Sequence, residues 1–218
     1  MSDRSPWLDP AVEAYANARS AEPDEVQRDL IAETATLGAR ARMQISPLQG
    51  AFMELFVRAM GARRAVEVGT FTGYSALSVA RGLPDDGRML CCDVSEEWTS
   101  IARRYWERAG VGARIDLRIG PALDTLRALP DGEQFDVGFI DADKPSYPAY
   151  FDELVPRLRR GGVLMVDNTL WSGRVADPTA DDADTHAMRA FNDKVAADGR
   201  VMTVLLPFSD GLTLLLRR

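Results

Sequence analysis

Two periods alternate along this chain, one helical and one extended. Val26, Leu30, Ile31 and Leu37 recur at helical spacing. The pattern predicts helices over 10–20 and 23–37, divided by Ser20-Ala21-Glu22-Pro23, with Pro23 suited to a helix start. Residues 1–9 read as a loose leader. Ile45-Ser46-Pro47 leads into a helix over 48–60 that carries Phe52, Leu55, Phe56 and Met60 on one side and stops at Gly61. Beyond it, short apolar strands over 64–68, 88–93, 113–119, 135–140 and 163–166 are separated by helical patterns over 74–82, 96–109, a short stretch after Pro121, and 147–159. Ser95 is placed to cap the second of these helices. Residues 172–182 form a polar loop, followed by a helix over about 184–197. Strand–helix alternation of this kind requires a parallel sheet. The last two strands, 201–206 and 212–217, are joined by Pro207-Phe208-Ser209-Asp210-Gly211. That junction is too short for a crossover helix, so these two should be antiparallel. The expected architecture is α/β: one doubly wound domain over 61–218, with residues 1–60 as an attached helical cover.

Composition narrows the class. At 218 residues the chain can bury one good core and is short for two. Its formal net charge of -7 argues against a general nucleic-acid binder. No segment approaches the 18 or so uninterrupted apolar residues of a membrane span, and the N-terminus has no secretory pattern. Cys91 and Cys92 are the only cysteines. As neighbours on a strand they point to opposite faces, so they read as core residues in a reducing compartment, which points to the cytoplasm.

The stretch that organises the sequence is Val66-Glu67-Val68-Gly69-Thr70-Phe71-Thr72-Gly73-Tyr74-Ser75-Ala76. A strand enters a glycine turn and leaves as a helix, which is how an α/β sheet begins a nucleotide or cofactor site. The spacing lacks the third glycine of the dinucleotide fingerprint and the Lys-Ser/Thr ending of a phosphate-binding loop. On these residues alone, a bound small cofactor and an ordinary tight turn are equally good accounts.

Polar residues collect at strand ends, the edge where open α/β sheets bind ligands. Asp93 ends the second strand, 24 positions after Gly69. It is placed either to accept ribose hydroxyls or to cap its own loop. Asp141 and Asp143 follow the fourth strand, and Asp167-Asn168 the fifth. If those strands are neighbours, their ends lie roughly 5 Å apart. Asp141, Asp167 and Asn168 could then converge on one ion, and all-oxygen ligation suits magnesium, calcium or manganese rather than structural zinc. The alternative is a helix cap at Asp141 and a turn at Asp167-Asn168. Lys144 is by default a solvated charge; beside a cation it becomes a candidate base. His186, the only histidine, reads as a solvent-facing helix residue with no Ser-His-Asp relay. The acids Asp177, Asp181, Asp182 and Asp184 read as a solvated, mobile loop.

Together, Val66–Ser75, Ile140-Asp141-Ala142-Asp143-Lys144, Val166-Asp167-Asn168 and Phe208-Ser209-Asp210-Gly211-Leu212 resemble the cation-dependent O-methyltransferases, a group that includes caffeoyl-CoA and catechol methyltransferases. Met43-Gln44-Ile45-Ser46-Pro47-Leu48-Gln49-Gly50 is similar to the segment preceding that family's core. The resemblance spans about 40–218. It implies a Rossmann-like, seven-stranded sheet with its last strand reversed, usually in a homodimer. It further implies S-adenosyl-L-methionine as cofactor, bound by Glu67, Gly69, Ser75, Asp93 and the Gly120-Pro121-Ala122 segment, with Asp141 close by. Asp141, Asp167 and Asn168 match the family's metal ligands, with magnesium as the first expectation. Lys144 matches its proposed base, and Met43 and Trp171 match positions on the edge of the acceptor pocket. The implied reaction is methyl transfer to a hydroxyl of a vicinal diphenol, either a free catechol or an acyl-CoA ester. Rival readings are a non-catalytic S-adenosylmethionine-binding scaffold and an NAD-dependent oxidoreductase.

Overall fold

Seven stretches form strands: β1 Arg64–Val68, β2 Arg88–Asp93, β3 Ile115–Ile119, β4 Phe135–Ile140, β5 Leu158–Val166, β6 Val201–Leu206 and β7 Leu212–Arg217. All but β3, which starts two residues late after a 3-10 turn over Gly112–Arg114, and β5 have the expected bounds. The computed structural model describes residues 9–218. Of the expected leader, residues 1–8 therefore lie outside the described residues. The strands form one seven-stranded sheet in the order β3-β2-β1-β4-β5-β7-β6. β7 runs antiparallel to both β5 and β6, so the reversed last strand is as expected. Contacts divide the described chain into two units, 9–122 and 123–218.

In the first unit β1, β2 and β3 are parallel neighbours, with Val66 opposite Leu90 and Leu90 opposite Asp116. The helices are α1 Pro10–Asn17, α2 Glu25–Ala35, α3 Pro47–Ala59, α4 Tyr74–Gly82 and α5 Glu96–Arg108; α6, Ala122–Arg127, begins at the last residue of this unit. Short polar side chains set where they begin. Asp24 accepts from the Gln27 amide while the Gln27 side chain accepts from the Asp24 amide, a reciprocal cap that starts α2 two residues later than Pro23 suggested. Ser95 caps α5 by accepting from the Trp98 amide, as expected. Between β1 and α4 the chain turns at Gly73, φ 85°. A Cβ there would lie 2.5 Å from that of Ala102, so only glycine lets α5 pack so closely. Trp106 of α5 fills the space and donates its indole N–H to the Gly73 carbonyl at 3.0 Å.

The second unit contains β4, β5, β6 and β7 with α7, Tyr147–Leu154, and α8, Ala183–Ala197. β4 is buried along its whole length, as a strand covered on both faces must be. α7 is shorter than its pattern: it gives way to a 3-10 turn over Val155–Arg157 that contains Pro156, because proline has no N–H to continue the ladder. β5 correspondingly starts early. Phe135 faces Leu158 but Val137 faces Val163, which loops out residues 159–162, and Arg159 donates to Asp136 across that bulge at 3.1 Å. The core is aromatic. Phe191 of α8 meets Tyr147 and Phe151 edge-on at 5.5 and 6.3 Å. Fully burying a side chain such as Phe191 contributes roughly 1.5–3 kcal/mol. The polar loop before α8 is tied down rather than loose. Arg189 donates to the carbonyls of Arg174, Val175, Asp177 and Ala180, and Asp182 caps α8. An arginine nearly two turns inside a helix thus fixes an acidic segment that composition describes as mobile. Among the described residues no helix is long and apolar enough to cross a membrane.

Candidate active site

The first unit supplies a turn built around one carboxylate. After β1, Gly69 (φ 87°), Phe71 (φ 52°) and Gly73 hold left-handed backbone, and the Gly69 amide donates to the Cys92 carbonyl at 2.9 Å. This geometry points the next amides toward the end of β2. There Asp93 Oδ2 accepts from Thr70 and Phe71, and its Oδ1 from Ser95, each at 2.8 Å. The loop-holding role is thus present. A carboxylate offers about four acceptor positions, so room for roughly one more donor remains.

Glu67 is fully buried on β1 and opposite Cys91 in the register. Burial first, and the Glu67 charge second, push the Cys91 thiol well above its ordinary range, which leaves it an inert core group. Ser75 is buried in the first turn of α4, and Ala122 is buried where α6 begins. A Cβ on the neighbouring Gly120 would meet nothing within 4 Å, so space is open beside that segment. Met43 ends the 3-10 turn Gly38–Met43 and is exposed.

Two contacts to this turn escaped the sequence reading. Thr34 of α2 donates to Thr72 at 2.9 Å, with both side chains buried. Trp98 packs edge-on against Phe71 at 5.2 Å beneath the Arg40 guanidinium, and its Nε1 is a buried donor with no hydrogen-bond partner among the described residues. The one signal was position: Trp98 is an aromatic in the first turn after a strand-end acid.

The second unit gathers its oxygens around an ammonium. The Asp167 amide donates to the Ile140 carbonyl at 3.0 Å, which brings the ends of β4 and β5 together. Lys144 Nζ donates to Asp141 Oδ1 at 3.1 Å, to Asn168 Oδ1 at 2.6 Å and to the Tyr147 hydroxyl at 2.6 Å. It lies 4.7 Å from the centre of the Tyr147 ring and 5.5 Å from that of Trp171. Lys144 is only 8% exposed, so it is not the solvated charge that its composition suggests. The Tyr147 hydroxyl donates onward to the Asp167 carbonyl at 3.3 Å. Burial, then the charges of Asp141 and Asp167, push this phenol well above its ordinary range, so it remains an O–H donor. Asp167 is buried, and its Oδ1 accepts from the Asn168 amide at 2.7 Å. Asp143 points elsewhere and accepts from Tyr150 at 2.7 Å.

Three predicted donors thus share one corner of this unit. Two of them, Asp141 and Asn168, aim side-chain oxygens at a single cationic atom. Among the described residues there is no group of three or more His, Cys, Asp or Glu that could hold a metal; this set is two carboxylates and one amide. Oxygens converging on a positive centre fit a hard divalent ion, with water or substrate completing its shell.

Trp171 is held in place by its neighbours. Asn168, Trp171 and Ser172 all have left-handed backbone, at φ 58°, 47° and 52°. Asp210 accepts from the Ser172 amide through Oδ1 and from the Leu170 amide through its carbonyl, and burial raises its carboxyl above the usual range. A Cβ at Gly211 would lie 2.5 Å from the Leu170 nitrogen, which accounts for the glycine. Tyr147 and Asp210 were the residues that sequence reasoning left without a role. His186 is exposed and paired with Asp181, and forms no relay.

Comparison with known proteins gives a consistent result. A family model described as O-methyltransferase matches residues 17–218. A protein of Dictyostelium discoideum named "Probable caffeoyl-CoA O-methyltransferase 2" is 41% identical over 205 residues, covering 92% of this chain and 89% of that protein. Catechol O-methyltransferase domain-containing protein 1 of Mus musculus is 41% identical over 169 residues, 76% of this chain and 64% of that protein. The crystal structure of an O-methyltransferase from Bacillus cereus in complex with SAH superposes with a TM-score of 0.86 at 35% identity, covering 95% of this chain and 97% of that one.

Proposed function

The chain belongs to the O-methyltransferase family and is an S-adenosylmethionine-dependent O-methyltransferase, and on that premise we propose that it methylates one hydroxyl of a catechol-like diphenol with the help of a divalent cation. The observation that carries this reading is the convergence of Asp141 Oδ1 and Asn168 Oδ1 on one positive centre. Asp141, Asp167 and Asn168 would hold the ion, magnesium in the first place, with manganese or calcium as substitutes. Bound there, the ion supplies positive charge that lowers the pKa of a coordinated hydroxyl. S-adenosylmethionine supplies a methyl group already activated by its sulfonium.

The protein's own share is to hold, align and deprotonate. Asp93 uses its remaining acceptor position for a ribose hydroxyl, with Glu67, Gly69, Ser75 and Ala122 lining the rest of the cofactor site. Lys144 is the group placed to take the acceptor's proton at Nζ once the nitrogen is released from Asp141 and Asn168, a role worth about 10²–10⁴-fold. The Tyr147 hydroxyl fixes where that nitrogen sits. Met43 and Trp171 border the acceptor. Its diphenol is either free or carried on an acyl-CoA ester, the chemistry named for the Dictyostelium relative. Alignment of oxygen, carbon and sulfur then provides much of the remaining acceleration. Two buried cysteines and the lack of a membrane-crossing helix among the described residues are consistent with a cytoplasmic enzyme.

Asp167→Ala tests the ion site. Turnover and magnesium affinity should both fall while S-adenosylmethionine affinity stays close to wild type; the melting temperature should drop modestly, because the Asn168 amide loses its acceptor. Asp167→Asn, which keeps an acceptor for the Asn168 amide, separates lost charge from a disturbed turn. Wild-type turnover in both variants would remove the metal from the reaction.

A further inference from the structure

Lys144 does more in this structure than wait beside an ion site. Its ammonium is bonded to Asp141 Oδ1 and Asn168 Oδ1, which are two of the three donors assigned to the cation. A lysine ammonium and a divalent ion are both compact and positively charged, and both seek the same oxygens. One point between those oxygens cannot hold both. We propose that Lys144 is the built-in counter-cation of this cluster, and that a divalent ion binds by displacing its ammonium from Asp141 and Asn168. This rests on the metal reading given above.

Three further observations support it. Lys144 is 8% exposed and the side chain of its partner Asp141 20%, so without a cation this largely shielded carboxylate charge would stand uncompensated, which is costly. The ammonium already has somewhere to go, because its contact with the Tyr147 hydroxyl at 2.6 Å does not involve the ion's donors. The Trp171 ring, 5.5 Å from the same nitrogen, favours its charge. The side chain can therefore pivot about Tyr147 without leaving the site. Ion binding and the release of Lys144 from its carboxylate become one event.

The test is calorimetric binding of magnesium, and of manganese as a tighter probe, to the full chain without acceptor. Lys144→Met removes the charge at similar length, and Lys144→Arg retains it. Lys144→Met should bind either ion at least about tenfold more tightly than wild type, the factor carried by one charged hydrogen bond. Lys144→Arg should bind no more tightly than wild type. Equal or weaker binding by Lys144→Met overturns the proposal and makes Lys144 a prop for Asp141. Equal tightening in both variants also overturns it, because charge would then not be the cause. Absence of ion binding in wild type and both variants would instead remove the ion site itself, and the proposal with it. S-adenosylmethionine affinity and melting temperature, measured on the same samples, establish that each variant is folded.

Discussion

Asp93 shows how one side chain serves structure and ligand together. Its carboxylate holds three backbone amides, those of Thr70, Phe71 and Ser95, and so fixes the shape of the glycine turn. Asp93→Ala should therefore weaken S-adenosylmethionine binding by roughly 1.5–3 kcal/mol for the lost charged hydrogen bond. It should also lower the melting temperature, since the amides lose their acceptor. Calorimetry beside thermal melts checks both, and cofactor affinity equal to wild type would place the ribose elsewhere. The acid itself was legible in the sequence, because a carboxylate ending a strand behind a glycine turn is a visible pattern. Its amide partners were not, since backbone N–H groups leave no trace in residue type. Tyr147 was hidden for another reason: a tyrosine at the start of a helix reads as core, and here it is both core and a hydrogen-bond donor.

Elements were legible where one period ruled and blurred where local chemistry intervened. β1, β2, β4, β6, β7 and α4 lie where alternation places them. β5 begins five residues before its apolar run at 163, at Leu158, because a bulge and a proline-bearing turn carry no periodicity. The docking of α2 on α5 was equally invisible, since it rests on charged side chains that composition assigns to solvent. Glu33 accepts from Arg104 and from the Tyr105 hydroxyl, and those hydrogen bonds, Arg104 first, hold its carboxyl below the usual range. A carboxyl depressed in the folded state stabilises the fold above its unfolded value, and that contribution is lost as pH falls through the folded value. Glu33→Gln should thus melt lower than wild type at neutral pH, and the gap should close as pH falls below about 4.5. Melting curves across pH decide this, and a gap independent of pH would assign the effect to packing.

At the scale of the molecule, the seven-stranded α/β sheet and its reversed β7 were readable from alternation, a short junction and family resemblance together, whereas the strand order came from the structure. Assembly is a different matter. Val12 and Tyr15 on α1 and Leu55 on α3 are more than half exposed, and these helices lie within the first 60 residues. We propose a homodimer that covers part of this apolar surface. Sedimentation at several micromolar concentrations should give twice 24.0 kDa, and Leu55→Glu should shift the species toward monomer. Monomer at every concentration would leave these side chains simply exposed. Membership in the family sets aside the oxidoreductase reading.

Methyl transfer to a panel of catechols and their acyl-CoA esters, followed with methyl-labelled S-adenosylmethionine, tests cation-dependent O-methylation most directly. Labelled monomethyl ether should form with magnesium present, vanish after exhaustive chelation and return when magnesium is restored. Unchanged turnover in the chelated enzyme would contradict the role assigned to Asp141, Asp167 and Asn168.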